Sequence, residues 1–359
     1  MRSRRLPRTF GQVPQSPPAT AWQALAELFG LGRIDVSPVY VTRGAMGEVW
    51  RLETATGRWA VKWQFPWVAA DPRPADLAVQ RAAAAAGIPL PRPATTPDDT
   101  AVVQLDGRAA RLYEWADLGP PLAVPVPPAR AAEAGRLLGL LHGLRLPPAG
   151  PPDPWYTEIK PDSYWPDLIA RAVAARAPWA ARLAAAADLI SGLGARVGGP
   201  AGPPLLTCHR DFNPDNVRPA AADGALLVLD WENSGPLSPA RELGYAICTW
   251  CAGGGRFDRA AADALLAGYT LAAGAAPALG PDLFGTAIAT HLNVLHVMAE
   301  QWLADPGHRG YTGQFIASLL ERDLADVDAV AGPRAPAWPD GGPRAPAWPA
   351  AGRPGRLAH

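Results

Sequence analysis

Three cysteines, three methionines and only two lysines occur among 359 residues. So few cysteines exclude a disulfide framework. Cys248 and Cys251 form a C-x-x-C pair with no second pair to complete a zinc site, so two packed helix thiols are expected there. Long apolar runs are also missing. None reaches the roughly 18 to 20 uncharged residues that span a bilayer, and the alanine-rich stretch 168–190 is broken by Arg171, Arg176, Arg182 and Asp188. No membrane association is expected. The N-terminus carries Arg2, Arg4, Arg5 and Arg8 without an apolar segment after them, so a secretory signal is not expected and a cytoplasmic location is the default. Net charge is absent too, 33 basic residues balancing 33 acidic ones. The balance hides a split: residues 1–10 carry +4, residues 331–359 carry +3, and the body between them carries −7. An acidic body attracts small cations such as amino sugars or choline-like amines, although the same surplus is ordinary for solubility. Basic residues are not clustered with aromatics on one element, so no nucleic-acid partner is expected.

Scarcity makes one lysine informative. The 33 basic residues include only Lys62 and Lys160, and Lys62 sits inside the apolar run Trp59-Ala60-Val61-Lys62-Trp63. A compact ammonium reaches between two phosphates where a planar guanidinium does not fit. Upstream, Thr42-Arg43-Gly44-Ala45-Met46-Gly47-Glu48-Val49 matches G-x-G-x-x-G-x-V with its first glycine replaced by threonine. Gly44 and Gly47 would let backbone amides approach a triphosphate without Cβ interference.

The richest stretch begins at His209. His209, Asp211 and Asn216 stand in an H-x-D-x-x-x-x-N arrangement, and Asp230 follows fourteen residues after Asn216. Two strand-like runs, Val217 to Pro219 and Ala225 to Leu229, flank the turn residues Ala222, Asp223 and Gly224. A hairpin there brings Asn216 and Asp230 together with Asp211 nearby. An amide oxygen and carboxylates suit Mg²⁺ that keeps positions for water and phosphate. A glycine hairpin, an interior lysine and an Asp/Asn/Asp set, in that order, are the equipment of phosphoryl transfer.

In these motifs the chain resembles the aminoglycoside phosphotransferase and choline kinase group of small-molecule kinases. Ala86 to Pro93 (AGIPLPRP), Leu137 to His142 (LLGLLH), Asp230-Trp231-Glu232 in place of D-F-G, and Gly235 to Gly244 (GPLSPARELG) extend the likeness over roughly residues 35 to 325. It implies an α+β, bilobal protein-kinase-like fold, with a small antiparallel-sheet N-lobe and a larger, mainly helical C-lobe. It implies transfer of the γ-phosphate of ATP or GTP to a hydroxyl of a small molecule. Asp211 would then orient the hydroxyl, Asn216 and Asp230 would ligate Mg²⁺, and Lys62 would neutralise the α and β phosphates. The carbonyl of Glu114 and the amide of Ala116 would meet the base at the hinge. His209 would hold the catalytic loop by a buried hydrogen bond, and Arg210 is expected at the surface or in a salt bridge. The acid pairing with Lys62 falls on Asp76 by spacing, although aspartate is one methylene shorter than the usual glutamate. Ser238 and Glu242 stand where the group commonly has aspartates, and Glu242 keeps the charge that could brace the loop. The motifs do not specify the acceptor. A choline, amino-alcohol or sugar kinase remains open, as does a nucleotide-binding module without transfer activity. A protein kinase is disfavoured by the missing D-F-G and A-P-E.

The organisation follows. Residues 1–19 form a disordered tail, 20–116 the N-lobe, 117–330 the C-lobe and 331–359 a Pro-rich tail. In that last segment Gly332 to Pro339 recurs as Gly342 to Pro349, a ten-residue repeat in which proline density forbids helix and sheet. It could serve an aromatic-grooved protein partner or be an unselected tail. Helices are expected over Trp22–Leu31 and Ala75–Ala86 and near 240–251, 258–273, 283–304 and 312–330. Strands are expected over Val39–Lys62 and Ala101–Trp115. Glu158, Asp162, Asp167, Glu300 and Asp305 are the acids placed to hold a cationic acceptor, beside Trp155, Tyr156, Tyr164, Trp165, Trp302 and Tyr311.

Overall fold

In the computed structural model, residues 17–332 are described apart from 45, 66–73, 200–204, 276, 278 and 281. The expected tails and the ten-residue repeat lie outside the described residues except at their inner ends, where Ala19 opens the first helix and Ala331 closes the last.

The N-terminal lobe is one sheet with a helix on its outer face. Helix α1 (Ala19–Leu28) precedes β1 (Ile34–Arg43), β2 (Gly47–Thr54) and β3 (Gly57–Gln64); α2 (Pro74–Ala85) precedes β4 (Val102–Leu105) and β5 (Arg108–Glu114). The strands form an antiparallel sheet in the order β1-β2-β3-β5-β4. Alternation decides which face does what. Trp50 and Leu52 of β2, Val61 and Trp63 of β3, and Ala110 and Leu112 of β5 bury against Trp22 and Leu25 of α1. Trp22 meets the rings of Trp50 and Trp63 edge-on, with centroids 5.7 and 5.5 Å away. The neighbouring positions in these strands take the opposite face. There Val49 pairs with Lys62, Lys62 with Arg111, and Ala60 with Tyr113. Lys62, Arg111 and Tyr113 are thereby set on the side that looks toward the second lobe.

The second lobe is mainly helical: α3 (Pro128–Gly143), α4 (Tyr164–Ala174), α5 (Ala180–Ala185) and α6 (Ala187–Gly194) come first. Short strands follow, β6 (Leu206–Cys208), β7 (Val217–Pro219), β8 (Leu226–Val228) and β9 (Gly235–Leu237), then α7 (Pro239–Cys251). A two-residue ribbon, β10 (Ala252–Gly253) with β11 (Arg256–Phe257), leads to α8 (Arg259–Ala273), α9 (Gly285–Ala304), α10 (Arg309–Ser318) and α11 (Leu324–Ala331). A π-helical turn, Leu319–Asp323, joins the last two. Helix α3 lies so close to α8 that a Cβ on Gly135 would sit 2.0 Å from the carbonyl oxygen of Leu265, which is why a leucine-rich helix carries glycine there. Strands β7 and β8 pair from Val217↔Val228 to Pro219↔Leu226, the expected hairpin. Cys248 and Cys251 are buried in α7, and burial pushes the Cys251 thiol up to about 12. No described helix is long and apolar enough to cross a membrane.

Candidate active site

Sequence-local hydrogen bonds build the loop after β6. The Asn213 Oδ1 accepts the amides of Asp215 (2.9 Å) and Asn216 (3.2 Å), closing a tight turn. The Leu229 amide donates to the Asn216 carbonyl at 2.7 Å, so the hairpin closes beside Asp230 as its turn signals predict. Asn216 Nδ2 donates to Asp211 Oδ2 (2.7 Å) and to the Asp211 carbonyl (3.1 Å). With its nitrogen so engaged, the amide oxygen is the Asn216 atom left to meet a cation. Two residues of these motifs, Arg210 (φ 67°) and Asp230 (φ 61°), adopt the left-handed conformation. For a residue with a Cβ that costs about 1–2 kcal/mol, so the surrounding contacts must hold them there.

Those contacts run through α7. Glu242 is fully buried, accepts the amides of His209 (3.3 Å) and Arg210, and meets His142 Nε2 at 2.7 Å. Burial opposes its charge, but His142, His209 and the Arg210 amide outweigh that and hold the carboxyl below its ordinary range. Ser238, by contrast, makes no side-chain cap on α7. His209 is buried with Nε2 2.9 Å from the Leu229 carbonyl, and its Nδ1 accepts the Asp211 amide at 3.3 Å. The Nε2–H therefore donates to the Leu229 carbonyl.

Lys62 crosses between the lobes. Its Nζ lies 2.8 Å from both Asp230 Oδ1 and Glu232 Oε2. Glu232 also accepts the Tyr113 hydroxyl at 2.8 Å. Burial and the Glu232 charge raise the Asp230 carboxyl although Lys62 pulls it down. Burial acts on Glu232 as well, yet Lys62, Asp230 and Arg111 prevail and lower it. The spacing-based pairing of Asp76 with Lys62 is corrected: Asp76 sits on α2 as expected, but its carboxylate bonds Arg111. Arg111 is Lys62's cross-strand neighbour, so α2 does reach the right strand and stops one strand short of the lysine. Of the two places expected for Arg210, the structure takes the salt bridge, with Nη1 3.8 Å from Asp153 Oδ2. Arg210 is buried, bonds the Asn233 carbonyl and lies 4.5 Å over the Tyr156 ring.

The remaining expected residues are placed as follows. Gly44 and Gly47 bound the β1–β2 turn, where the Gly44 amide donates to the Gly47 carbonyl at 2.8 Å. A Cβ on Gly47 would come 2.3 Å from the Trp63 carbonyl. Just before the loop, Arg43 is bracketed between Phe65 (4.7 Å) and Tyr311 of α10 (5.0 Å), a cation–π contact joining the two lobes. Glu114 and Ala116 lie where β5 passes into the C-terminal lobe, and the Trp115 amide between them donates to the Arg58 carbonyl at 2.9 Å. The acids expected to grip an acceptor are largely engaged. Arg171 holds Glu300 through two bonds (2.6 and 2.8 Å) and lowers its carboxyl to about 2. Arg171 also pairs with Asp167 at 2.8 Å, Asp162 accepts from Ser191 at 3.1 Å, and Asp305 accepts from Gly307 and meets His308, both at 2.7 Å.

Sequence reasoning missed four participants. Glu232 was within a quoted motif but without a role, and Tyr113 sits at the end of an expected strand; their meeting with Lys62 needs both lobes. Tyr245 and Asn213 bond Asp211 Oδ1 at 3.0 and 2.6 Å, and Tyr245's place three residues after Glu242 on α7 is the one signal that could have found it.

The model of a phosphotransferase enzyme family matches residues 40–277, and the chain belongs to that family. Its fold is protein-kinase-like, as in a spectinomycin phosphotransferase solved with ADP and spectinomycin, which matches at TM-score 0.61 and 14% identity over 88% of this chain and 99% of that one. An amicoumacin kinase solved with AMP-PNP and Ca²⁺ matches at TM-score 0.57 and 12% identity, covering 85% of this chain and 93% of the other. A microcompartment-associated aminopropanol kinase matches at 0.55 and 15%, covering 87% and 99%. No curated protein sequence matches.

Proposed function

We propose that the protein transfers the γ-phosphate of ATP or GTP to a hydroxyl of a small molecule, with Mg²⁺ as cofactor. The carrying observation is the convergence of Lys62 from one lobe with Asp230 from the other, beside the linked pair Asn216 and Asp211. Asp211 accepts the proton-bearing side of the acceptor hydroxyl and aims its oxygen at the γ-phosphorus. The new P–O bond forms as the bond to the β-phosphate oxygen breaks, leaving the nucleoside diphosphate. In a loose transition state the gain comes mainly from positioning. Lys62 meets the α and β phosphate oxygens, and Glu114 and Ala116 meet the base through their backbone. The donor set fits a divalent cation. Lys62 and Arg111 face the three carboxylates of Asp76, Asp230 and Glu232, an excess of negative charge that Asp211 increases, and Asn216 presents an oxygen. Mg²⁺ on Asn216 and Asp230 would neutralise the charge that develops on the phosphates.

Glu232, rather than an acid on α2, is the residue that steadies Lys62. Glu232→Gln is expected to weaken nucleotide binding about 10- to 100-fold, as loss of a supporting partner does at metal sites. Asp76→Asn should instead lower thermal stability with nucleotide KM little changed. Calorimetric titration with MgATP alongside melting curves separates the two, and the reverse pattern would restore Asp76 as the partner. Because Glu300, Asp162, Asp167 and Asp305 already have partners, the acceptor favoured is one of low positive charge rather than a polycation. The test of the whole reading is γ-labelled ATP, and GTP in parallel, against pooled aminoglycosides, macrolides, amino alcohols and sugars, read by mass shift. Nucleotide binding without transfer to any pool would favour a silent nucleotide-binding module instead.

A further inference from the structure

Asp211 is more tightly specified than a loop carboxylate needs to be. An ionised carboxylate offers about four acceptor positions, two on each oxygen. Oδ1 takes two donors, Asn213 Nδ2 at 2.6 Å and the Tyr245 hydroxyl at 3.0 Å. Oδ2 takes one, Asn216 Nδ2 at 2.7 Å. Among the described residues one position is therefore left, and it is on Oδ2. The donors are themselves fixed. Asn213 Nδ2 also donates to the Tyr245 oxygen at 3.2 Å, while its Oδ1 holds the turn amides of Asp215 and Asn216. Tyr245 is buried on α7, one turn from Glu242, which holds the consecutive amides of His209 and Arg210 at the start of the same loop. Helix α7 thus grips the loop twice, through its backbone at Glu242 and through its carboxylate at Tyr245.

We infer that Tyr245, with Asn213, is a positioning residue that turns Asp211 so that Oδ2 alone meets the incoming hydroxyl. The inference rests on the phosphotransferase reading above and adds to it a residue outside the glycine loop, the lysine strand and the H-x-D-x-x-x-x-N motif. Rotation of the Asp211 carboxyl about its Cβ–Cγ bond would exchange the two oxygens. A hydroxyl held over Oδ1 by a rigid helix makes that exchange costly, and a misaimed base loses rate rather than affinity.

The test uses the full chain with Mg²⁺ and γ-labelled ATP under single-turnover conditions, water serving as the acceptor hydroxyl. Tyr245→Phe keeps the buried ring and removes only the hydroxyl. Its hydrolysis rate is expected to fall about 10- to 100-fold, with the KM for MgATP within about twofold of wild type. In an Asp211→Asn background the same change should cost nothing further, because the two side chains act through one contact. An unchanged rate, an effect on KM alone, or an equal loss in the Asp211→Asn background would each overturn the inference while leaving the phosphotransferase reading intact. A wild-type protein that neither hydrolyses ATP nor phosphorylates any acceptor would overturn that reading, and this inference with it.

Discussion

Replacing Asp211 with asparagine is expected to reduce phosphoryl transfer about 10³-fold, the middle of the range for removing a positioned proton acceptor. Nucleotide affinity should stay close to wild type. The substitution conserves size, so the loop geometry set by the Glu242, His209 and Asn213 contacts should survive. An amide at this position cannot take a proton, and its nitrogen would oppose the donors of Asn213, Asn216 or Tyr245 that now converge on it. The check is a steady-state comparison on whichever acceptor the pooled assay yields, with calorimetric ATP titration alongside. Transfer within tenfold of wild type would remove Asp211 from the role assigned to it.

The second large effect is on stability. Glu242→Ala leaves His142 Nε2 and the amides of His209 and Arg210 unpaired in the interior. Breaking a buried, hydrogen-bonded charge from one side typically costs about 3–5 kcal/mol, and denaturant melts should show a loss of that order. Activity should fall with it, since the same amides set the loop that carries Asp211. The pH dependence has a definite sign. Glu242 is depressed in the folded protein, so its contribution is fully present above its unfolded pKa of about 4.3 and drains away as pH falls through the lower folded value. Wild type should therefore lose stability below about pH 4 more steeply than Glu242→Ala, which has no such carboxylate to protonate. Parallel acid limbs for the two proteins would contradict this account.

What was legible in the sequence was local. The hairpin between Asn216 and Asp230 is marked by its turn residues, and β7 and β8 pair there. Lys62 falls within the segment expected to be strand, and in the β2–β3 hairpin it pairs with Val49. Helix α1 was legible as an amphipathic segment, though it begins three residues earlier than its periodicity suggested, at Ala19. What was not legible depends on how the lobes meet. Counting residues can place Asp76 on α2 but not say which side chain of β5 or β3 it reaches; Arg111, adjacent to Lys62 in the sheet, reaches it first. Arg210 was read as a surface or salt-bridge group, and it does pair with Asp153, but nothing local announces Tyr156 and the Asn233 carbonyl, which cover it from distant segments. Glu300 is an acid with no visible partner in sequence, yet Arg171 and Tyr164 reach it from α4. In each case a charged side chain's neighbours were set by packing between elements far apart in the chain.

Lys62 now bridges Asp230 and Glu232, and to serve a nucleotide it must turn part of its ammonium toward phosphate. A crystal grown with magnesium and a non-hydrolysable ATP analogue examines this directly. The predicted result is a triphosphate between the lobes, with Lys62 on its oxygens and the metal on the oxygens of Asn216 and Asp230. A cleft without nucleotide while the analogue binds elsewhere, or a bound analogue that leaves Lys62 on both carboxylates, would contradict the account.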